Sequence, residues 1–418
     1  MNKLPDGWEI KKLKDILSNE KYSIKRGPFG SSLKKEFFIK EGVKVFEQYN
    51  PINNDPHWCR YRIDKKKYEE LKAFSCRAGD FLISCSGTLG KILLLPDNVE
   101  EGIINQALLK IRLNNKLVDN YYFLNLFQYE DFQKRIYIDA VGSAIHNIAS
   151  VNILKEMEVI IPPLDEQKRI ASALSKIDAY LENTIKLIEE KERFKRGIAK
   201  KLLTCKEGEN IPEARFKGFE DEWEIVKLGD ITKMISGGTP NTKIKEYYNG
   251  NIVWATITDI TNSYKYLYDS EKKITELGLQ NSSTKIFPIN TVLYSIYGSI
   301  GECAISKVEC TTNQAILGIE CSDKINYNFL YYLLSNHKNN AKKLRQFGTQ
   351  PNINKKIVLN FYFKIPNIEE QEKIGGYLSL LDTEIDNLKK QKELIKEMKR
   401  GAMQKLLSGE VRLVDNYD

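Results

Sequence analysis

The chain has 418 residues, a formal net charge of +8, and 42% hydrophobic and 29% charged side chains. Hydrophobic cores stop growing near ~250–300 residues, so at least two domains are expected. The composition excludes a disordered or fibrous chain, and the mild basic excess permits a polyanionic partner without demanding one.

The stretch Met1 to Trp8 lacks the apolar run of a signal peptide. The seven cysteines form no CxxC pair and are odd in number, which argues for a reducing cytoplasm over a disulfide framework. His57 lies near Cys59, but no further ligand follows at zinc-like spacing. Trp8-Glu9-Ile10, Lys12-Leu13 and Asp15-Ile16 open the chain, and a glycine-rich loop, Arg26 to Lys35 (RGPFGSSLKK), comes next. Its small residues permit close approach to a phosphate backbone, whose oxygens its hydroxyls and ammonium groups can bind. A plain surface turn is the alternative. Lys25, Arg26, Ser31, Ser32, Lys34 and Lys35 are the DNA-contact candidates here.

Short strands are predicted at Gly42–Phe46, Phe81–Ser84 and Lys91–Leu94. The apolar stretch Phe81 to Leu95 is too short and too polar to span a bilayer, so no membrane partner is expected. Gly87 to Lys91 lacks the spacing and the hydroxyl of a Walker A loop and reads as a turn. After Asn105-Gln106-Ala107 comes a helical stretch, Tyr121 to Gln128, then a polar loop with His146 and Asn147, weaker DNA-contact candidates.

Ile161-Pro162 and Glu166-Gln167 lead into a long helix. Ile170, Leu174, Ile177, Leu181, Thr184, Ile188, Lys191, Lys195, Ile198 and Leu202 alternate at spacings of four and three, the seam of helices packed side by side. Acid at its start, base at its end and Gly208 beyond suit a helix with its dipole satisfied. About 38 residues at ~1.5 Å each make a rod of about 57 Å, long enough to act as a ruler between DNA half-sites ~34 Å apart.

The same order then recurs. Trp223-Glu224-Ile225, Lys227-Leu228 and Asp230-Ile231 repeat the opening, and a second glycine-rich loop spans Ser236 to Lys245. Thr239, Asn241, Thr242, Lys243 and Lys245 are its DNA-contact candidates. Strands are predicted at Ile252–Thr256, Val292–Ser295 and Ile316–Glu320, and a short helix at Phe329–Leu334. SIYGSIG (Ser295 to Gly301) repeats SCSGTLG (Ser84 to Gly90), and Asn313-Gln314-Ala315 repeats Asn105-Gln106-Ala107. Gln350 and Asn352 occupy the polar loop that matches His146 and Asn147. Ile365-Pro366, Glu370-Gln371, Ile374, Leu378 and Asp382 begin a second long helix, in register with the first as far as Lys405-Leu406-Leu407. Gly197 and Gly401 match inside the helices, where glycine costs ~1 kcal/mol; close approach of another backbone and simple tolerance are both open. Residues 20–80 and 232–290 share little, as two related sites with different targets would.

The expected architecture is α+β with a pseudo-twofold internal repeat. Two mixed α/β domains (1–160 and 209–364) alternate with two long helices (161–208 and 365–410) that pair as an antiparallel coiled coil, before a tail at 411–418. This order of motifs, with the middle segment Pro212 to Trp223, RGPFGSSL and GGTP…YYNGNIVW, resembles the specificity subunits of type I restriction-modification enzymes over essentially the whole chain.

The resemblance implies two target recognition domains, each reading one half of a split sequence in double-stranded DNA. It implies helices that set the gap between the halves and dock two methyltransferase subunits, which carry S-adenosylmethionine and methylate adenine. Restriction subunits, using ATP and Mg²⁺, would complete the nuclease. No cofactor, metal or catalytic residue is expected in this chain. Ile161-Pro162-Pro163-Leu164 lacks the polar and aromatic ends of a methyltransferase motif. A stand-alone enzyme and a coiled-coil scaffold that reads no DNA are the alternatives.

Overall fold

The structure is a computed structural model that describes residues 4–137, 148–344 and 352–414. It divides into two compact units, residues 1–184 with 391–418, and residues 185–390. Each unit holds one mixed α/β domain, the first part of one long helix and the last part of the other.

In the first unit Glu9–Lys12 pairs antiparallel with Glu158–Ile161. An antiparallel sheet follows the order Ile24–Arg26, Leu108–Ile111, Phe81–Ser84, Ile92–Leu94. In a second sheet Val43–Phe46 runs antiparallel to Tyr61–Ile63 and parallel to Gly102–Ile104. Phe81 to Ser84 are all buried, as are Leu108 to Ile111, so these strands read as apolar runs rather than alternations.

The second unit repeats this plan. Glu224–Lys227 pairs with Tyr362–Ile365. Thr232–Ser236, Ile316–Cys321, Val292–Ser295 and Cys303–Ser306 follow the same sheet order, with Tyr266–Leu267 added parallel at the edge. Tyr248–Ala255 runs antiparallel to Lys273–Ile274 and parallel to Thr311–Thr312. The strand order is therefore copied even across residues 20–80 and 232–290, where the sequences share little. The helix expected at Phe329–Leu334 runs from Tyr327 to Lys343, because Ala341 continues the buried face past a polar stretch.

The long helices span Leu164–Leu203 and Ile368–Leu407. Acidic residues fill each first turn, Asp165 and Glu166 or Glu369 and Glu370, where the exposed N–H groups and the dipole favour them. Gly409, at φ +77°, follows the second helix within two residues, whereas the first ends five residues before Gly208. Within the first unit Ile170 and Leu174 join Met403, Leu406 and Leu407 in one core. Within the second, Leu202 and Leu203 join Ile374, Leu378 and Leu381.

The polar seam positions pair across the helices. Lys399 Nζ meets Asp178 at 2.6 Å in the first unit. At the matching place in the second, Lys195 binds Asp382, with Lys191–Glu384 at 2.7 Å and Glu192–Lys389 at 2.8 Å alongside. Among the described residues no backbone approaches Gly197 or Gly401: a Cβ at either would meet nothing within 4 Å.

Candidate nucleic-acid interface

The site begins at the helix starts, because these hold each domain in place. Glu166 is 1% and Glu370 0% exposed. Burying a carboxylate requires a charge partner and hydrogen bonds. Glu166 receives the Trp8 indole N–H at 2.9 Å and the Arg412 guanidinium at 2.7 and 2.8 Å. Glu370 receives the Trp223 indole at 3.3 Å and Arg215 at 2.9 and 2.7 Å. Burial raises the Glu166 carboxyl pKa, but Arg412 and Trp8 outweigh it and hold it below the usual range.

The next residue stitches the domain to the helix. Gln167 accepts from the Asp119 N–H and donates to the carbonyls of Leu117 and Pro162. Gln371 accepts from Asn326 and donates to Lys324 and Pro366. The Glu-Gln motif thus has two separate jobs.

On this frame three turns meet in each unit. In the SCSGTLG turn the Ser84 hydroxyl accepts from the Lys91 N–H at 3.0 Å; in SIYGSIG, Ser295 accepts from Glu302 at 2.9 Å. In the Asn-Gln-Ala turn Asn105 caps Ala107, and Asn313 caps Ala315, both at 3.1 Å. The two turns are tied by Cys85 N–H to Ala107 O and Ile296 N–H to Ala315 O, both 2.8 Å. The third turn is the glycine-rich loop. A Cβ at Gly27 would lie 1.8 Å from the Asn105 carbonyl oxygen, and one at Gly237 2.2 Å from that of Asn313. Glycine is required at both places because the backbones touch.

The structure places the candidates of the first loop as follows. Lys25 and Arg26 end a strand, half-buried. Lys25 Nζ lies 5.3 Å from the Tyr22 ring and 5.4 Å from the Phe74 ring, and Arg26 reaches the Cys85 carbonyl at 3.4 Å. Burial pushes the Cys85 thiol up to about 11. Ser31 and Ser32 lie on a tight helical turn, and Lys34 and Lys35 are exposed just beyond it.

In the second loop Thr239, Asn241, Thr242, Lys243 and Lys245 are all exposed. The Thr239 hydroxyl donates to Gln314, and the Asn241 side chain accepts from the Lys243 N–H at 3.1 Å. Asn352 bridges to Tyr297 beside the SIYGSIG turn. His146, Asn147 and Gln350 lie outside the described residues.

Sequence reasoning missed part of this surface. A cleft of about 670 Å³ in the first unit is lined by Tyr22, Lys25, Arg26, Phe29, Gln106 and Lys155, among others. Gln106 and Gln314 are exposed at matching positions; the repeated Asn-Gln-Ala was their signal. Lys155 comes from a distant helix, Val151–Glu156, and carried no local signal. Among the described residues no cluster of His, Cys, Asp or Glu could hold a metal ion, and no helix is long and apolar enough to cross a membrane.

Comparison with known proteins agrees with this geometry. The family model of the type I restriction modification DNA specificity domain matches residues 5–190 and 220–397. A Methanocaldococcus jannaschii protein, provisionally named the MjaX specificity subunit of a type I restriction enzyme, is 26% identical over 99% of this chain and 96% of its own. The MjaIX specificity subunit of the same organism is 37% identical over 42% of each chain. The crystal structure of a type I restriction-modification S subunit from M. genitalium superposes with a TM-score of 0.57 over 97% of both chains, at 19% identity.

Proposed function

The chain belongs to the type I restriction modification DNA specificity family, and from that membership we propose how its two units work. The protein is a DNA sequence-specificity subunit. Each unit binds one half of a bipartite target in double-stranded DNA. The helices set the unspecified gap and dock two methyltransferase subunits, with restriction subunits joining the complex. Catalysis belongs to those partners, with S-adenosylmethionine in the methyltransferase and ATP and Mg²⁺ in the restriction subunit. The working compartment is the cytoplasm.

One observation carries this reading. The clasp, the stitch and the three-turn platform are repeated almost bond for bond, while the loops mounted on the platform differ at every candidate position but the last, where Lys35 and Lys245 match. A copied frame with unlike loops suits two readers of unlike sequences. Lys25, Arg26, Ser31, Ser32, Lys34 and Lys35 would act in the first reader, and Thr239, Asn241, Thr242, Lys243, Lys245 and Asn352 in the second. The lysines and hydroxyls would serve phosphates, and the amide or guanidinium groups base edges. His146, Asn147 and Gln350 complete the proposed set.

The test is methylation mapping in cells that carry the chain with its methyltransferase partner. A bipartite motif is expected. Replacing residues 1–160 by the corresponding segment of another family member should change one half of that motif and leave the other. A motif unchanged by the exchange would leave only a scaffold role. Inserting four residues into both long helices, about 6 Å of helix, should lengthen the gap by one or two base pairs. An unaltered gap would remove the helices from that role.

A further inference from the structure

Phe29 stands out on the first reading loop. Its side chain is 88% exposed, more than any other large hydrophobic among the described residues. The exposure does not come from a slack loop. The Gly27 N–H is bonded to Leu108 O at 2.9 Å, Pro28 is buried, and the Ser32 N–H returns to the Phe29 carbonyl at 2.9 Å. A fixed backbone therefore holds an apolar ring in water.

Its surroundings are cationic. Lys25, Arg26 and Lys155 line the cleft that Phe29 borders, and Lys34 and Lys35 follow on the same loop. Tyr22, on the opposite side of Lys25 in sequence, holds φ at +66°, an arrangement that non-glycine residues adopt at a cost and that gathers at functional sites. Cations at this density suit DNA phosphates, and the ring they flank needs an apolar feature between those phosphates. In the major groove each base edge offers hydrogen-bonding groups, and thymine alone adds a methyl group.

We propose that Phe29 reads a thymine in the first half of the target by packing its ring against the 5-methyl group. This rests on the reading of the first unit as a DNA-sequence reader. Lys25 and Lys155 would hold the flanking phosphates. The second loop has Thr239 and Pro240 after its glycines and no aromatic in the corresponding stretch, so the contact belongs to the first half alone.

Deoxyuridine tests this, because it differs from thymine only by that methyl. The chain is purified with its methyltransferase partner, and the mapped target is synthesised with each thymine replaced singly by deoxyuridine. One position in the first half should weaken binding about fourfold, the size expected for one buried methyl. Phe29→Ala should weaken the thymine duplex by at least as much and bind the deoxyuridine duplex no differently. Phe29→Leu should keep part of the discrimination, and no variant should alter the response to deoxyuridine in the second half. A strong preference for the target with no deoxyuridine effect in the first half would overturn the contact and leave the reading role intact. So would an effect that persists in Phe29→Ala. Loss of any preference for the target by the unaltered complex would overturn the reading role itself.

Discussion

The helix-start clasp and the glycine-rich loop were copied with different fidelity. At the clasp, Trp8–Glu166–Arg412 and Trp223–Glu370–Arg215 agree in every partner. At the loop, the glycine contact with the Asn-Gln-Ala turn persists, and of the side chains beyond it only the closing lysine, Lys35 or Lys245, is the same. The difference follows from burial. A carboxylate at 0 or 1% exposure has no water to replace a lost partner, so any change is costly. An exposed lysine or threonine can be exchanged with little effect on folding.

The first prediction attacks the clasp. Glu370→Ala should destabilise the chain by ~3–5 kcal/mol in denaturant unfolding, since it strands Arg215 and the Trp223 indole. Glu166→Ala should cost less, because the Arg412 side chain is 26% exposed against 13% for Arg215. Equal costs, both under ~1 kcal/mol, would mean that the clasp does not hold the frame.

The loop should respond in the opposite way. Lys34→Ala combined with Lys35→Ala, both exposed, should leave unfolding within ~0.5 kcal/mol of the parent. DNA affinity, measured in the methyltransferase complex, should fall, and the salt dependence should flatten by about 0.9 in log–log slope per lost phosphate contact. An unchanged slope would show that these lysines do not meet phosphates.

A smaller effect separates the two helix pairings. Lys195→Ala should cost ~1 kcal/mol and Lys399→Ala ~0.5 kcal/mol or less. Asp382 is the more buried acid, 21% exposed against 44% for Asp178, and it also binds the Tyr332 hydroxyl. The reverse order would show that burial does not grade these pairs.

A separate effect depends on pH. Lys265 is 6% exposed, and burial pushes its pKa down to about 8 while Asp382 opposes the shift. The unfolded value is ~10.4. Between these values the unfolded chain binds more protons than the folded one, so folding strengthens as pH rises through the window. Lys265→Met should lack that rise. Its stability relative to the parent should be greatest below pH ~8 and should fall towards pH ~10.4; parallel curves would place Lys265 in solvent.

Much of the frame was legible in sequence. The seam from Ile170 to Leu202 shows because helical packing imposes its own period. Glu166-Gln167 and Glu370-Gln371 show as a repeat. Their jobs do not, because Arg412 follows its helix by five residues and Arg215 by twelve, and no spacing rule links them. The shared strand order of residues 20–80 and 232–290 was hidden as well. Each buried strand position is filled to suit its own neighbours, so Val45 and Ile103 leave no sequence echo in Trp254 and in Thr311, whose hydroxyl donates to the Val253 carbonyl. The candidate surface was half visible: its loops carry glycine and lysine, whereas Lys155 enters from a helix with no local mark.

The clasp bears on how the chain is strung together. In the second unit, residues 204–222 join the end of the first helix to Trp223 covalently, with Arg215 on the way. In the first unit, the end of the second helix meets Trp8 through Arg412 and the packing of Gly409 on Pro5, with no peptide bond between them. The fold therefore already makes one of its two junctions without a covalent link. A protease nick between residues 206 and 210 should leave two fragments that co-migrate under native conditions and separate only in denaturant. In this protein, where the backbone is cut is a matter of genetic bookkeeping, and where the arginines sit is a matter of structure.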